Sequence, residues 1–205
     1  MSGVAAIILA AGLGSRFGQE TKLLAEWGEK PLVRHVAEAA LASRLDPVLA
    51  VVGHRREEVG AALAGLDLSL IENPAYAEGL STSLRTGFAA LPPGPEAAVI
   101  LLGDMPHVRS AVIDSLLKAW RFHRGVGAIV PTHAGRRGNP VLLARSLAPE
   151  IACLTGDAGA GPLLRARTDV REWPVDDPAI LQDVDTLADL RRKARLASAR
   201  QRSEQ

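Results

Sequence analysis

The sequence predicts an α/β fold in which helices cover both faces of a doubly wound, mostly parallel sheet, forming one three-layer α/β/α sandwich. Three observations lead there. Short, continuously apolar runs alternate with segments of helical period along the 205-residue chain. The runs do not alternate with polar residues, as strands buried on both faces should not. Aromatics are only 3% of the residues while apolar residues make up 47%, so the core must be built from Ala, Val, Ile and Leu.

The elements follow in order. Val4 to Ala10 is an apolar run that breaks off at Ala11-Gly12-Leu13-Gly14-Ser15-Arg16-Phe17-Gly18. Pro31 opens a helix with Leu32, Val33, Val36, Ala39, Ala40 and Ser43 on one face. Val48 to Val52 is a second strand, Arg56 to Leu63 a helix, and Leu68 to Ile71 a short strand before Asn73-Pro74. Leu80, Leu84, Phe88 and Leu91 give Leu80 to Leu91 a helical period, and Pro92-Pro93-Gly94-Pro95 breaks it. Strand Val99 to Leu102 runs into Gly103-Asp104-Met105-Pro106. Helix Ser110 to His123 and strands Ala128 to Pro131 and Val141 to Leu143 come next. The segment after them is irregular, and Thr186 to Ala197 is a final helix. One domain over residues 1–196 is expected, followed by a disordered polar tail, 197–205.

Charge narrows the function classes. There are 24 basic and 23 acidic residues, and the tail's Arg200, Arg202 and Glu204 carry the net charge of +1. The body is neutral, with no footprint for nucleic acid. The lone Cys153 reads as a buried, inert thiol in a reducing compartment. No apolar run reaches the roughly 18 residues of a membrane span, and Met1-Ser2-Gly3 lacks a charged leader. A cytoplasmic protein is expected.

In doubly wound sheets, ligands bind beyond the carboxyl ends of the strands. Three clusters fall there: the loop Ala10 to Gly18, Gly103-Asp104, and Asp183-Val184-Asp185-Thr186. The glycine loop is neither a dinucleotide fingerprint, whose third glycine is Phe17 here, nor a P-loop, since no Gly-Lys pair follows. Gly12, Gly14, Arg16, Gly18 and Lys22 still read as an anion cradle, with glycine freeing backbone N–H groups and two cations adding charge. A plain βα turn with solvated basic residues is the alternative.

Leu9-Ala10-Ala11-Gly12-Leu13-Gly14-Ser15-Arg16-Phe17-Gly18 with Lys22-Leu23-Leu24 resembles the signature of the molybdopterin nucleotidyltransferases, a family of the MobA-like NTP transferase superfamily. Asn73-Pro74, Gly79-Leu80-Ser81-Thr82-Ser83-Leu84, Gly103-Asp104-Met105-Pro106, Arg137-Gly138-Asn139-Pro140 and Asp183-Val184-Asp185-Thr186 stand in the family's order. The likeness runs from about residue 4 to 196 and implies a Rossmann-like sheet of the nucleotide-diphospho-sugar transferase type. It also implies transfer of a nucleotidyl group, CMP from CTP in the nearest branch, onto the phosphate of molybdopterin with release of pyrophosphate. A molybdoenzyme of the xanthine dehydrogenase type would receive the product.

The resemblance implies roles residue by residue. Leu9, Ala10, Ala11, Gly12, Gly14, Ser15, Arg16 and Lys22 would bind the nucleotide, Arg16 and Lys22 countering charge on the triphosphate. Mg2+, which takes one or two carboxylates plus phosphates and water, would sit on Asp104 and Asp185. Arg16, Lys22 and Asp104 are thus the catalytic set. For Asp104 the alternative is a turn residue, and for Asp185 a helix N-cap. The nucleophile is already anionic, so no general base is needed; His54, His107 and His133 read as solvated.

Base choice rests on Ala11, where related guanylyltransferases carry glycine; its methyl would trim the pocket toward a pyrimidine. Asn73, Ser81 and Ser83 offer hydrogen bonds to base or ribose, or else cap the helix at residue 80. Arg137, Gly138 and Asn139, with Gly156 and Asp157 of Thr155-Gly156-Asp157-Ala158-Gly159-Ala160-Gly161, would face the acceptor, although Arg136 and Arg137 also suit a surface hairpin. The run Arg191, Arg192, Lys193, Arg195 faces water at a helix C-terminus. A guanylyltransferase, another small-acceptor transferase, a non-catalytic cofactor-delivery protein and an oxidoreductase stay open. Retained Asp104, Asp185 and Lys22 argue against the delivery protein, and the broken fingerprint against the oxidoreductase.

Overall fold

The structure is a computed structural model that describes residues 3–14 and 22–184. Ser15, Arg16, Gly18, Asp185, the expected helix Thr186 to Ala197 and the tail lie outside the described residues. Strand β1 (Val4–Ala10) buries every side chain. It runs parallel to β4 (Val48–Val52) on one side and β6 (Ala97–Leu102) on the other. The sheet order is β10 (Val170–Pro174), β7 (Ala128–His133), β9 (Val141–Ala144), β6, β1, β4, β5 (Ser69–Glu72), with β8 (Arg136–Arg137) folded back on β7. Only β9 and β8 run antiparallel to their neighbours in this sheet, so the expected mostly parallel sheet is present.

The strand period of two sorts β1 onto two cores. Val4, Ala6, Ile8 and Ala10 pack with α1 (Leu32–Leu41), α2 (Arg56–Ala62) and α4 (Ser110–Phe122). Ala5, Ile7 and Leu9 pack with α3 (Leu80–Ala89), α5 (Ala148–Ala152) and α6 (Gly161–Ala166). That gives the three layers. On α1, Leu32, Val33, Val36, Ala37 and Ala40 are buried, and Pro31 is the cap, with ψ 147°, rather than the first helical residue. Arg145 closes the proline-rich break by donating to the carbonyls of Leu91, Pro92 and Pro95.

Four details differ from the sequence reading. Glu26–Trp27 (β2) and Lys30–Pro31 (β3) form a small antiparallel hairpin turned by Gly28 at φ +65°. The irregular late segment contains α5, α6 and the edge strand β10, whose Arg171 and Glu172 are exposed. β10 is docked by Gly127 N–H on Asp169 O (2.8 Å) and by the Arg167 fork on the Asp169 carboxylate (2.8 Å each). That fork holds the Asp169 carboxyl below its ordinary range. Cys153 is exposed rather than buried, because it sits past the end of the short α5. The three histidines contact protein: His133 bonds Val175 O, His54 leans on Tyr76, and His107 meets Trp27 edge-on. Among the described residues no helix is long and apolar enough to cross a membrane.

Two predictions come from this packing. A Cβ on Gly87 of α3 would lie 2.5 Å from Ile7 Cγ2 and 3.1 Å from Val51 Cγ2, both on buried strands. Gly87→Val should therefore cost about 1–3 kcal/mol, seen as a lower urea midpoint; an unchanged midpoint would refute the close packing of α3.

The second concerns Asp177, which accepts from Ala179 N–H (3.0 Å) and from Arg109 Nη2 (2.9 Å), capping the turn Pro178–Leu181. Burial pushes its carboxyl up, but the Ala179 N–H and the Arg109 guanidinium prevail, and the net shift is downward from 3.8. A lowered native pKa stabilises above 3.8 and loses that contribution as pH falls through the native value. Asp177→Ala should thus cost about 1 kcal/mol at pH 7 and progressively less below pH 3.8. A pH series of denaturant midpoints checks the sign.

Candidate active site

The site is assembled by register. Leu9 of β1 pairs with Leu102 of β6, and Gly103 N–H donates to Leu9 O at 3.0 Å. A Cβ on Gly103 would lie 3.1 Å from that oxygen and from Leu23 Cδ2, so the chain turns tightly beside β1 and a larger residue there would crowd both. Asp104 consequently emerges next to Ala11 and Gly12. One carboxylate oxygen, Oδ2, pairs with Lys22 Nζ at 2.8 Å. The other, Oδ1, is buried with no hydrogen-bond partner among the described residues.

The hairpin of β2 and β3 supports this pair from behind. Trp27 packs with Ala25, Leu32 and Val184, and meets His107 edge-on at 4.7 Å. Ala25 N–H donates to Lys22 O, and Val184 N–H donates to Asp104 O at 3.1 Å. The late segment therefore reaches Asp104 at Val184, one residue before Asp185.

A cavity of about 410 Å³ opens in front of the pair, lined by Ala11, Gly12, Gly14, Lys22, Tyr76, Ser83 and Asp104, among others. Gly14 stands at φ +61°, where an added Cβ would meet Lys22 at 3.3 Å, and among the described residues nothing lies against the face of Gly12. The Ala11 methyl is buried against Tyr76 and the bare Cα of Gly53. A second cavity, about 570 Å³, adjoins the first, and Leu9, Leu80, Leu102 and Asp157 line both. Its floor is apolar, with Leu84, Ile100, Val130, Val141 and Leu164, and its polar rim holds Arg137, Gly138, Asn139 and Arg165.

A glycine junction lies beside the residues that the two cavities share. Gly79 has φ +111°, and a Cβ there would fall 2.5–2.6 Å from the Gly156 carbonyl. Ser81 N–H, in the first turn of α3, donates to Gly156 O at 3.0 Å, and Arg85 Nη1 donates to Leu154 O at 3.3 Å. The loop 155–161 is thereby laid across the start of α3. On the far side, Gly138 approaches Ile180 so closely that a Cβ would lie 2.3 Å from Ile180 O, and Asn139 N–H donates to the same oxygen at 2.9 Å.

Measured against the sequence reading, Leu9, Ala11, Gly12, Gly14, Lys22, Ser83 and Asp104 line the first cavity, and Arg137, Gly138, Asn139 and Asp157 the second. Gly156 lines neither and anchors the loop instead. Ala10 faces the α1 core. Asn73 is buried and donates to Thr82 Oγ1 (2.8 Å) and Ser83 Oγ (3.1 Å), so it orders the start of α3; the Ser81 hydroxyl is buried without a partner among the described residues. Arg137 Nε is bound to Glu172 at 2.7 Å across the hairpin edge. Ser15, Arg16 and Asp185 are outside the described residues. Tyr76 and the apolar floor were missed. Tyr76 had one available signal, being the chain's lone tyrosine two residues after Asn73-Pro74.

The comparisons agree on the family. The model of the MobA-like NTP transferase domain matches residues 6–171. The molybdenum cofactor cytidylyltransferase of Escherichia coli K12 is 35% identical over 146 residues, 71% of this chain and 72% of that protein. Nicotine blue oxidoreductase of Paenarthrobacter nicotinovorans is 29% identical over 92% of this chain and 95% of its own. Among solved structures, the complex of Rv0371c from Mycobacterium tuberculosis H37Rv with manganese superposes with a TM-score of 0.76, at 28% identity, covering 93% of this chain and 97% of that one. With its glycine loop, its Lys22–Asp104 pair and this likeness, the chain belongs to the MobA-like NTP transferase family and is a nucleotidyltransferase.

Proposed function

We propose that this chain is a cytoplasmic, single-domain enzyme that moves CMP from CTP onto the terminal phosphate of a molybdopterin-type acceptor, with release of pyrophosphate. The observation that carries the reading is the pair of adjoining cavities, one headed by Lys22 and Asp104 and the other apolar with a polar rim. The likeness to the Escherichia coli cytidylyltransferase supports CTP and the acceptor class. A molybdoenzyme of the xanthine dehydrogenase type would take up the product.

The residues divide the work. Gly12 and Gly14 leave backbone N–H groups open to phosphate oxygens, and Lys22 stands beside them as the described cation of that cavity. Asp104 fits a divalent cation, because its Oδ1 is buried with no hydrogen-bond partner among the described residues, a state that costs free energy unless something binds there. Mg2+ held there by Asp104, with Asp185 proposed as its second carboxylate, would neutralise charge on the triphosphate. The Ala11 methyl, Tyr76 and Ser83 shape the base end. Leu84, Ile100, Val130 and Val141 offer a flat apolar floor to a heteroaromatic acceptor, and Arg137 and Asn139 supply donors for its phosphate. The acceptor phosphate is anionic already, so it needs orientation rather than deprotonation.

The nicotine blue oxidoreductase likeness spans nearly all of both chains and favours one second reading, hydride transfer to a heteroaromatic bound on the same apolar floor. Ligand stabilisation separates the two. CTP with Mg2+ should raise Tm more than GTP, ATP or NADH, by mass action on the native state. A larger shift with GTP would overturn the role of Ala11, and a larger one with NADH would favour the oxidoreductase.

Kinetics tests the division of labour. Pyrophosphate release, measured with each nucleotide and molybdopterin, should nearly vanish in Asp104→Asn while the fold persists. Lys22→Ala should lower kcat, since charge grows on the triphosphate in the transition state. Arg137→Ala should chiefly raise the acceptor KM, each effect being on the order of 1.5–3 kcal/mol. Full activity in the Asn variant removes Asp104 from the metal site. An Arg137 variant that weakens only the nucleotide moves residues 135–140 away from the acceptor.

A further inference from the structure

Asp104 presents two oxygens in two different states. Oδ2 holds the Lys22 ammonium at 2.8 Å, and Oδ1 is buried with no hydrogen-bond partner among the described residues. Both side chains are largely shielded, with 12% of Lys22 and 24% of Asp104 exposed, so their charges interact with little screening by water. Both face the cavity that also receives Gly12 and Gly14. The ammonium therefore stands where a divalent cation would need to approach the same carboxylate.

We infer that Lys22 is a built-in cation that occupies Asp104 until a triphosphate draws it away, so that divalent metal and nucleotide bind as a coupled pair. This rests on the proposed role of Asp104 as the metal's carboxylate. A divalent cation arriving alone meets an ammonium already on its ligand, and repulsion between the two positive charges raises the cost of binding. Moving Lys22 off Asp104 breaks an ion pair in a shielded site, which is costly unless another anion takes the ammonium. A triphosphate removes both obstacles, since its oxygens accept the ammonium and neutralise it, which frees both oxygens of Asp104. Coupling of this kind is reciprocal: metal must strengthen nucleotide binding by the same factor by which nucleotide strengthens metal binding. The family's phosphate-binding lysine alone does not require this behaviour. A lysine that only gripped phosphate would leave the affinity of the empty site for metal unchanged when deleted.

The experiment measures Mn2+ binding by electron paramagnetic resonance and water proton relaxation, with no acceptor present and no turnover. Wild type, Lys22→Met, Lys22→Gln and Asp104→Asn are each titrated alone, with CTP and with GTP, after melting curves confirm that they fold. In the wild type, Mn2+ alone should bind weakly and tighten at least about 10-fold with nucleotide, a coupling of about 1.4 kcal/mol. In both Lys22 variants, Mn2+ alone should bind about 10-fold tighter than in the wild type, and nucleotide should add little. Asp104→Asn should remove the site in every condition. If the Lys22 variants bind Mn2+ alone no better than the wild type while nucleotide still recruits the metal, the exchange is refuted and Asp104 keeps its metal role. If the wild type takes up no Mn2+ with either nucleotide, Asp104 is not the metal's carboxylate, and both the exchange and that part of the proposed function fall.

Discussion

Strand β1 has no exposed face and no exposed edge. All seven of its side chains are buried, one set against α1, α2 and α4 and the other against α3, α5 and α6, while β4 and β6 take its backbone bonds. Such a strand tolerates no slip in register, because a shift of one residue would exchange the two cores. The fixed pairing of Leu9 with Leu102 then determines where each chain leaves the sheet. Ala11 and Gly12 must emerge beside Gly103 and Asp104. The chemical site is a consequence of that registration, since neither loop would place a lysine at 2.8 Å from a carboxylate without the other.

The close approaches are made by glycine, and each stands at a joint between elements that carry the site. Gly103 lets the end of β6 touch β1, Gly79 lets the loop 155–161 lie across the start of α3, and Gly138 lets the β8–β9 connection reach Ile180. A methyl group at Gly79 or Gly138 would clash with backbone atoms, which cannot yield as a flexible side chain can, and at Gly103 it would be tight against Leu9 O. These joints also link the two halves of the chain. Asp177 caps the turn that presents Ile180, and Ile180 O holds Asn139 N–H at the rim of the second cavity. Charge at Asp177 is thus connected, through two hydrogen bonds, to the geometry of the second cavity.

Much of this was legible in the sequence where one rule dominated. A run such as Val4-Ala5-Ala6-Ile7-Ile8-Leu9-Ala10, broken by Gly12 and Gly14, can only be a buried strand feeding a turn. The carboxyl-end rule then put the glycine loop and Gly103-Asp104 on one edge, where Gly12, Gly14 and Asp104 line one cavity and Val184 N–H meets Asp104 O. Legibility failed where tertiary contacts overrode local pattern. Val170-Arg171-Glu172-Trp173-Pro174 carries too few apolar residues to announce a strand, and it is one because Gly127 and the Arg167 fork pin Asp169 at its start. The floor of the second cavity was invisible for another reason. Leu84, Ile100, Val130, Val141 and Leu164 come from five separate elements, and each reads alone as ordinary core. Asn73 failed in the opposite sense: its amide suits a ligand by chemistry, yet the fold spends both ends on Thr82, Ser83 and Ala75.

The wall that the two cavities share carries the last step. Leu9 and Leu102 are neighbours on the sheet, and Leu80 and Asp157 close over them from α3 and the glycine loop. In the proposed transfer, the reacting phosphates must meet at this wall, with the attacking and leaving oxygens in line. In that transfer the three apolar side chains there, Leu9, Leu80 and Leu102, would disfavour water that competes as nucleophile. Asp157 is the charged member of the wall, and its repulsion toward phosphate would hold the acceptor back until cations on the nucleotide side offset it. The apolar members and the acidic one thus act on different competitors, bulk water and a misplaced anion, and the Gly79–Gly156 contact keeps both in position.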